Sequence, residues 1–132
     1  NQHWNKEVEF LIATEGYINE ISGTTAGIII GDRALASLNR FEHIYDLGLA
    51  WKQYSGLPFV FAAWVSNKPI PAEFMEAFDA ANGYGLKHLD EVIALIPASE
   101  QVYDLHKYYT ENISYELTPE KSAGLNKFLE AL

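Results

Sequence analysis

The sequence predicts an α/β domain, because segments suited to buried strands are followed by amphipathic helices. Residues 28–30 are three consecutive isoleucines with no polar alternation, which is typical of a strand covered on both faces. Residues 59–65 give the strongest strand signal in the chain. Beyond Pro71 the apolar residues recur at helical spacing. Strands covered by helices form an α/β layer arrangement.

The first part of the chain predicts two strands and two short helical segments. Residues 8–13 indicate a strand, residues 15–21 a short helix or turn, and residues 22–25 a loop before the isoleucine strand. Asp32 is a good N-cap for a helix over residues 33–38. Gly31, between strand and helix, lets the backbone turn sharply or a ligand approach closely.

In the middle of the chain the sequence predicts a helix with a capping residue at each end, followed by a strand. Asp46 is an acidic N-cap for a three-turn amphipathic helix, and Gly56 marks its end. Pro58 then opens the strand over residues 59–65, which fits proline's restriction to strand starts and edges.

Three further helical regions follow Pro71. Gly83 and Gly85 predict a kink or an interruption in the first of them. A second helix is expected from Ser99, with an apolar face at Val102, Leu105, Tyr109 and Ile113. The third is indicated by the run Thr118-Pro119-Glu120, with buried side chains expected at Leu125, Phe128, Leu129 and Leu132.

Charge and composition exclude several function classes. Eighteen acidic and nine basic side chains give a net charge of −9 over 132 residues, whereas nucleic acids and anionic membranes attract clustered Lys and Arg. No apolar run reaches the roughly 18 residues of a spanning helix. Without cysteine there is no disulfide or thiolate metal site. The first residue is Asn1, and we expect the chain to be part of a longer one.

Few residues in the sequence are candidates for catalysis or metal binding. The four histidines (His3, His43, His88 and His106) have no metal-ligand spacing, so no metal is expected. Nucleophile-elbow, Walker and dinucleotide-binding motifs are absent. The acid pairs Asp90/Glu91 and Glu73/Glu76 fall on helix positions expected to face water. Five aromatic residues are interpreted as core: Phe59, Phe61, Trp64, Tyr108 and Tyr109.

The strongest candidate site is therefore the pair Gly31 and Asp32. Small ligands bind at the carboxyl ends of strands in open α/β sheets, which is where this pair is predicted to lie. The alternative is that Asp32 only caps a helix and Gly31 only turns a corner.

Three stretches resemble the chorismate dehydratases of the futalosine route to menaquinone. They are residues 28–35, residues 45–48 with Trp51, and residues 56–64; residues 114–117 and the helix from Gly124 to Phe128 are also similar to that family's C-terminus. The resemblance covers nearly the whole chain and implies that about half of such an enzyme is absent on the N-terminal side.

The resemblance implies the two-lobed fold of type II periplasmic binding proteins. Residues 1–57 would be the later part of lobe two, and residues 58–132 the return crossing strand with the C-terminal helices of lobe one. The implied reaction is loss of water from chorismate, a carbon–oxygen lyase reaction in menaquinone biosynthesis that needs no cofactor. The implied compartment is the cytoplasm.

Two relatives of the same fold remain as alternatives. Dihydroxynaphthoate synthase, from the same pathway, carries a catalytic histidine followed by glutamate where this sequence has Gly31 and Asp32. In amino-acid-binding solute-binding proteins an aspartate at the place of Asp32 pairs with the ligand's ammonium group. The segment from Gly56 to Trp64 favours the dehydratase.

For the site, the resemblance implies substrate contacts at Gly31 and Asp32 and gives no catalytic base. Arg33 is interpreted as a surface arginine, Asp46 as a helix cap and Trp64 as hinge packing. Half of lobe one would leave sheet edges and apolar helix faces exposed, which favours a homodimer or strand exchange of the fragment. We expect the fragment alone to be inactive.

Overall fold

A computed structural model describes residues 4, 6–98, 101 and 103–132. The chain splits into two compact units, Asn1–Gly56 and Leu57–Leu132. The assignment of residues 1–57 and 58–132 to two different lobes stays a prediction.

The first unit contains one helical turn and two helices. A 3₁₀ turn, Tyr17–Glu20, follows Gly16, whose φ of 83° is a left-handed conformation that glycine adopts without strain. Helix α1 covers Asp32–Ala36 and helix α2 covers Leu47–Ser55. The predicted turn over residues 15–21 is confirmed.

Helix α2 has the ends that the sequence predicts. The Asp46 carboxylate accepts hydrogen bonds from the N–H groups of Gly48 (2.8 Å) and Leu49 (3.0 Å), which would otherwise lack partners at a helix start. Gly56 ends the helix at φ 75°, and its N–H donates to the Lys52 carbonyl at 2.9 Å. The interpretation of Asp46 as a helix cap is confirmed.

The second unit is helical beyond Pro71. Helix α3 covers Ala72–Lys87, α4 covers Leu89–Ala94, α5 covers Leu105–Lys107 and continues into a π-helical turn at Tyr108–Asn112, and α6 covers Pro119–Glu130.

Of the two alternatives predicted at Gly83 and Gly85, the interruption is wrong and the kink stays a prediction. Helix α3 runs through both glycines and ends at His88, where φ is −119° and ψ is 26°. A glycine costs a helix only about 1 kcal/mol relative to alanine, which is too little to break a sixteen-residue helix.

Of the helix predicted from Ser99, the structure shows the part that begins at Leu105. Ser99 and Val102 lie outside the described residues, and α5 begins at Leu105, where Asp104 Oδ1 accepts the Lys107 N–H at 2.9 Å. A capping aspartate fixes the start locally, and the apolar periodicity from which the earlier start was predicted does not contain that information.

Helix α6 begins as predicted but buries less than predicted. The Thr118 hydroxyl accepts the Lys121 N–H at 3.3 Å, and Pro119 occupies the first turn. Leu125 and Phe128 are half-buried, but Leu129 and Leu132 are exposed. The expectation that all four apolar side chains are buried is therefore wrong for the last two.

The three segments predicted as strands (residues 8–13, 28–30 and 59–65) are neither helical nor paired into a sheet within the described part of the chain. A strand is stabilised by a hydrogen-bonded neighbouring strand, and no sheet is formed within the described residues. The Ile28 carbonyl instead accepts the Tyr17 hydroxyl at 2.6 Å. The α/β fold class, and the two-lobed fold with it, stays a prediction.

Apolar side chains remain at the surface. Among the described residues no hydrophobic side chain is fully buried, and Phe61 and Trp64 are 78% and 82% exposed, so the interpretation of these two aromatics as core is wrong. The chain exposes 11492 Å², whereas two separately folded bodies of these sizes would together expose roughly 8,400 Å². Aromatic rings contact one another in small groups, as where the Phe59 ring lies 5.2 Å from the Phe61 ring and 5.0 Å from the Phe128 ring, between centroids.

Two glycines in helices allow a matched test of the packing in the second unit. Gly124 is buried, and a Cβ there would collide with the Pro58 carbonyl oxygen, whereas a Cβ on Gly83 would have nothing within 4 Å. Gly124→Ala should lower the free energy of unfolding by about 1–3 kcal/mol. Gly83→Ala should raise it by about 0.4–1 kcal/mol. Urea unfolding of the full-length variants measures both, and shifts of the same sign would contradict this packing.

Candidate functional site

The predicted site residue Gly31 has a backbone conformation that essentially only glycine adopts. Its φ is 65° and its ψ is −151°. Gly31 is the N-cap residue of α1, and its carbonyl accepts the N–H groups of Ala34 (2.8 Å) and Leu35 (3.3 Å). The left-handed φ turns the chain sharply out of the isoleucine run and into the helix.

Asp32 is not the N-cap, so that prediction is wrong. It is the first residue of α1, and no side-chain hydrogen bond caps the helix, because Gly31 makes the turn one residue earlier. The Asp32 side chain is exposed and lies in the first helical turn, where a carboxylate interacts favourably with the helix dipole. Within the described residues it is left available to an outside donor. The predicted roles of Gly31 and Asp32 in substrate binding stay predictions.

A cavity of about 490 Å³ lies in the first unit beside this segment. Residues 13–19 line it together with Arg33 and Arg40. Neither Gly31 nor Asp32 is among its lining residues, but Arg33 directly follows Asp32 in the chain. Arg33 is exposed, which confirms its interpretation as a surface arginine, and it also lines this cavity.

Arg40 is a candidate site residue that the sequence interpretation missed. Its Nη2 donates to Asn19 Oδ1 at 2.5 Å, and its guanidinium carbon lies 5.5 Å from the centroid of the Phe41 ring. The available signal was that Arg33 and Arg40 are the only arginines in the sequence and are seven residues apart. Positions i and i+7 lie on one face of a helix.

A second cavity, of about 320 Å³, lies in the second unit. Its lining residues are Leu86, Leu89, Tyr109, Thr110, Ile113, Ser114, Tyr115 and Glu116. Burial raises the pKa of the Tyr115 hydroxyl, and the nearby Tyr109 and Tyr108 raise it further. Tyr115 therefore stays a protonated hydroxyl donor at neutral pH.

Two histidines of the second unit, His88 and His106, lie close to carboxylate side chains. The Nε2 atom of His106 lies 3.4 Å from Asp90 Oδ1, and that of His88 lies 4.0 Å from Glu91 Oε1. Asp90 and Glu91 are well exposed, which confirms their placement on a solvated helix face. The described residues hold no group of three or more His, Cys, Asp or Glu that could bind a metal ion; His3 lies outside them.

Trp64, interpreted as hinge packing, is exposed and makes an edge-to-face contact with Phe78 at 5.4 Å between ring centroids. Both residues belong to the second unit. In the described residues no helix is long and apolar enough to cross a membrane.

The conformation of Gly31 gives a direct test of this segment. A Cβ on Gly31 would have nothing within 4 Å, so any cost of Gly31→Ala comes from the backbone angle alone. We expect Gly31→Ala to lower the free energy of unfolding by about 1–3 kcal/mol, measured by urea unfolding of the full-length protein. Gly83→Ala, in a helix, is the control for adding a methyl group. An unchanged stability in Gly31→Ala would contradict the left-handed turn.

Comparison with known proteins identifies the family. The model of a family described as menaquinone biosynthesis matches residues 1–132. A curated relative, the chorismate dehydratase of Thermus thermophilus, is 30% identical over 138 aligned residues, which cover 89% of this chain and 51% of the relative. The chain thus spans about half the length of the curated relative that it matches. No solved structure gives a significant match. Because the family model matches the whole sequence, the chain belongs to the menaquinone biosynthesis family.

Proposed function

We propose that this chain is part of a chorismate dehydratase, a carbon–oxygen lyase that converts chorismate to 3-[(1-carboxyvinyl)oxy]benzoate and water. The observation that carries the proposal is the 30% identity to a chorismate dehydratase along 89% of the chain. The family description, menaquinone biosynthesis, is consistent with it.

The pair Gly31 and Asp32 favours this reaction over that of dihydroxynaphthoate synthase, which the sequence also resembles. That enzyme carries a histidine base followed by glutamate at these positions, and here glycine offers no imidazole. The backbone at Gly31 also argues against a histidine, because its φ of 65° with ψ of −151° strains any residue that has a Cβ.

The reaction requires mainly that the protein position the substrate ring and the groups that exchange protons with it. A base removes the ring proton beside the ether, hydroxide leaves from the neighbouring ring carbon, and the electron pair completes an aromatic ring. Aromatisation supplies the driving force, so the protein needs to hold the ring, accept the proton and assist the departing hydroxide. Asp32 would repel the two substrate carboxylates unless its oxygens accept a hydrogen bond from the ring hydroxyl.

The exposed apolar surface supports a place for the chain within a larger, two-lobed protein. The chain spans about half of the relative, and its described apolar segments have no sheet partners of their own. We place residues 1–57 in the later part of lobe two and residues 58–132 in lobe one. In this arrangement residues 8–13, 28–30 and 59–65 form sheets with strands from the rest of the full-length protein.

The first test is a chorismate assay on the full-length protein, following the aromatic product by absorbance. The parent should form product, and Asp32→Asn should lower kcat/KM roughly tenfold or more, because it removes a charged acceptor. Asp79→Asn, an exposed acid in α3, is the matched control and should behave as the parent.

Each other outcome of this assay has its own meaning. Equal activity in parent and Asp32→Asn would keep the reaction and remove Asp32 from the site. No product from the parent, with binding of amino acids instead, would overturn the dehydratase in favour of a solute-binding protein of the same fold.

A separate prediction concerns the 132-residue chain on its own. Purified alone, it should form no aromatic product from chorismate, because a cleft between two lobes would have one wall only. Light scattering should give a mass above that of a monomer, since exposed apolar faces drive self-association. Dehydratase activity in the isolated chain, or a stable monomer, would contradict the two-lobed placement.

A further inference from the structure

The only two arginines of this acidic chain line the same cavity. The net charge is −9, and of the nine basic residues only Arg33 and Arg40 carry a guanidinium group. Both line the cavity of about 490 Å³ in the first unit, which is open to solvent, since most of its lining residues are exposed. Two planar cationic forks facing one cavity are suited to binding carboxylates.

The local fold brings the two arginines together. After α1 the chain continues in hydrogen-bonded turns, with the Ser37 N–H donating to the Ala34 carbonyl (3.0 Å) and the Arg40 N–H to the Ser37 carbonyl (3.0 Å). The buried Ser37 hydroxyl also donates to the Arg33 carbonyl at 2.7 Å. These turns connect Arg33 in α1 to Arg40, and both arginines line the same cavity.

The two arginine side chains differ in how firmly the protein holds them before a ligand binds. Arg40 is held by Asn19 and by the Phe41 ring, so one guanidinium edge is positioned in advance. Arg33 has no side-chain hydrogen bond or ion pair in the described part of the chain, so its fork is available. Neither arginine is neutralised by an acid within ion-pair distance in that part.

The remaining lining residues leave the cavity net positive. Glu15 is the one acid among them, against two arginines. Thr14 and Asn19 add neutral polar groups, whereas the Tyr17 hydroxyl is occupied by its bond to the Ile28 carbonyl. A ligand with two carboxylates, one for each guanidinium, matches this balance better than a cation or a neutral molecule.

We propose that Arg33 and Arg40 together bind the carboxylates of an organic dicarboxylate in this cavity. This inference rests on the proposed function for the identity of the ligand, chorismate, which carries two carboxylates. It gives the two arginines the role of substrate-binding residues and leaves the bond-breaking chemistry to other groups.

The experiment uses the full-length protein with Arg33→Gln, Arg40→Gln and the two corresponding lysine variants. Each glutamine variant should raise the KM for chorismate roughly ten- to a hundredfold with a smaller change in kcat, because a charge-assisted bidentate contact is lost. Lysine keeps the charge without the fork and should recover only part of the loss. Lys52→Gln removes one positive charge in α2, outside the cavity lining, and should leave KM within twofold of the parent.

A variant at Asn19 tests whether the position of the Arg40 side chain matters, and circular dichroism tests folding separately. Asn19→Ala removes the partner of Arg40 but keeps both arginines, so it should raise KM by less than Arg40→Gln does. Circular dichroism spectra that match the parent establish that each variant is folded. KM values within twofold of the parent in all folded arginine variants would overturn the inference and leave the proposed dehydratase intact.

A parent protein that does not turn over chorismate would reject the proposed function but still test the cavity. The probe is then isophthalate, a benzene ring with two carboxylates, titrated by calorimetry into the parent and the variants. Binding by the parent that weakens at least tenfold in Arg33→Gln and Arg40→Gln would support the dicarboxylate site. Equal binding in all proteins, or none in the parent, would overturn it.

Discussion

Apolar surface in the two units is covered mainly by small clusters of side chains, and the other properties of the structure depend on this constraint. Phe59 contacts Phe128, and Trp64 contacts Phe78, but the described residues gather no fully buried apolar core. The exposed area exceeds that of two compact bodies of the same sizes by roughly 3,000 Å², more than one partner's share of most obligate interfaces. Such a surface is expected where a segment packs against a further part of a larger protein.

The helices persist under this constraint because their ends are stabilised locally. Asp46, Asp104 and Thr118 each accept a backbone N–H from the first turn that follows, and Gly56 closes α2 in a left-handed conformation. These interactions join residues two to four positions apart and therefore need no distant partner. A sheet is different, because the hydrogen bonds of a strand go to residues that can be far away in the sequence.

The candidate site shows the same division between local and distant effects. The backbone at Gly31 and the turns after α1 are local, and they connect the two arginines, Arg33 and Arg40, that line the cavity. The cavity also needs residues 13–19, whose turn is held back toward the isoleucine run by the bond from Tyr17 to Ile28. In a chain of net charge −9, two of the nine basic side chains lie at this one cavity, where they can attract an anionic ligand.

The sequence by itself determined the family and the local structure. The resemblance to chorismate dehydratases agrees with the family model and with the curated relative. The ends of α2 and the start of α6 are where the sequence predicted them, because helix caps are encoded within a few residues. Local backbone geometry decided that Gly31 and not Asp32 caps α1 and that α3 continues through Gly83, whereas tertiary contacts decided that Arg40 shares a cavity with Arg33. These outcomes depend on backbone angles and on contacts between distant residues. Apolar periodicity reports neither, because it records only which side chains avoid water and not what covers them.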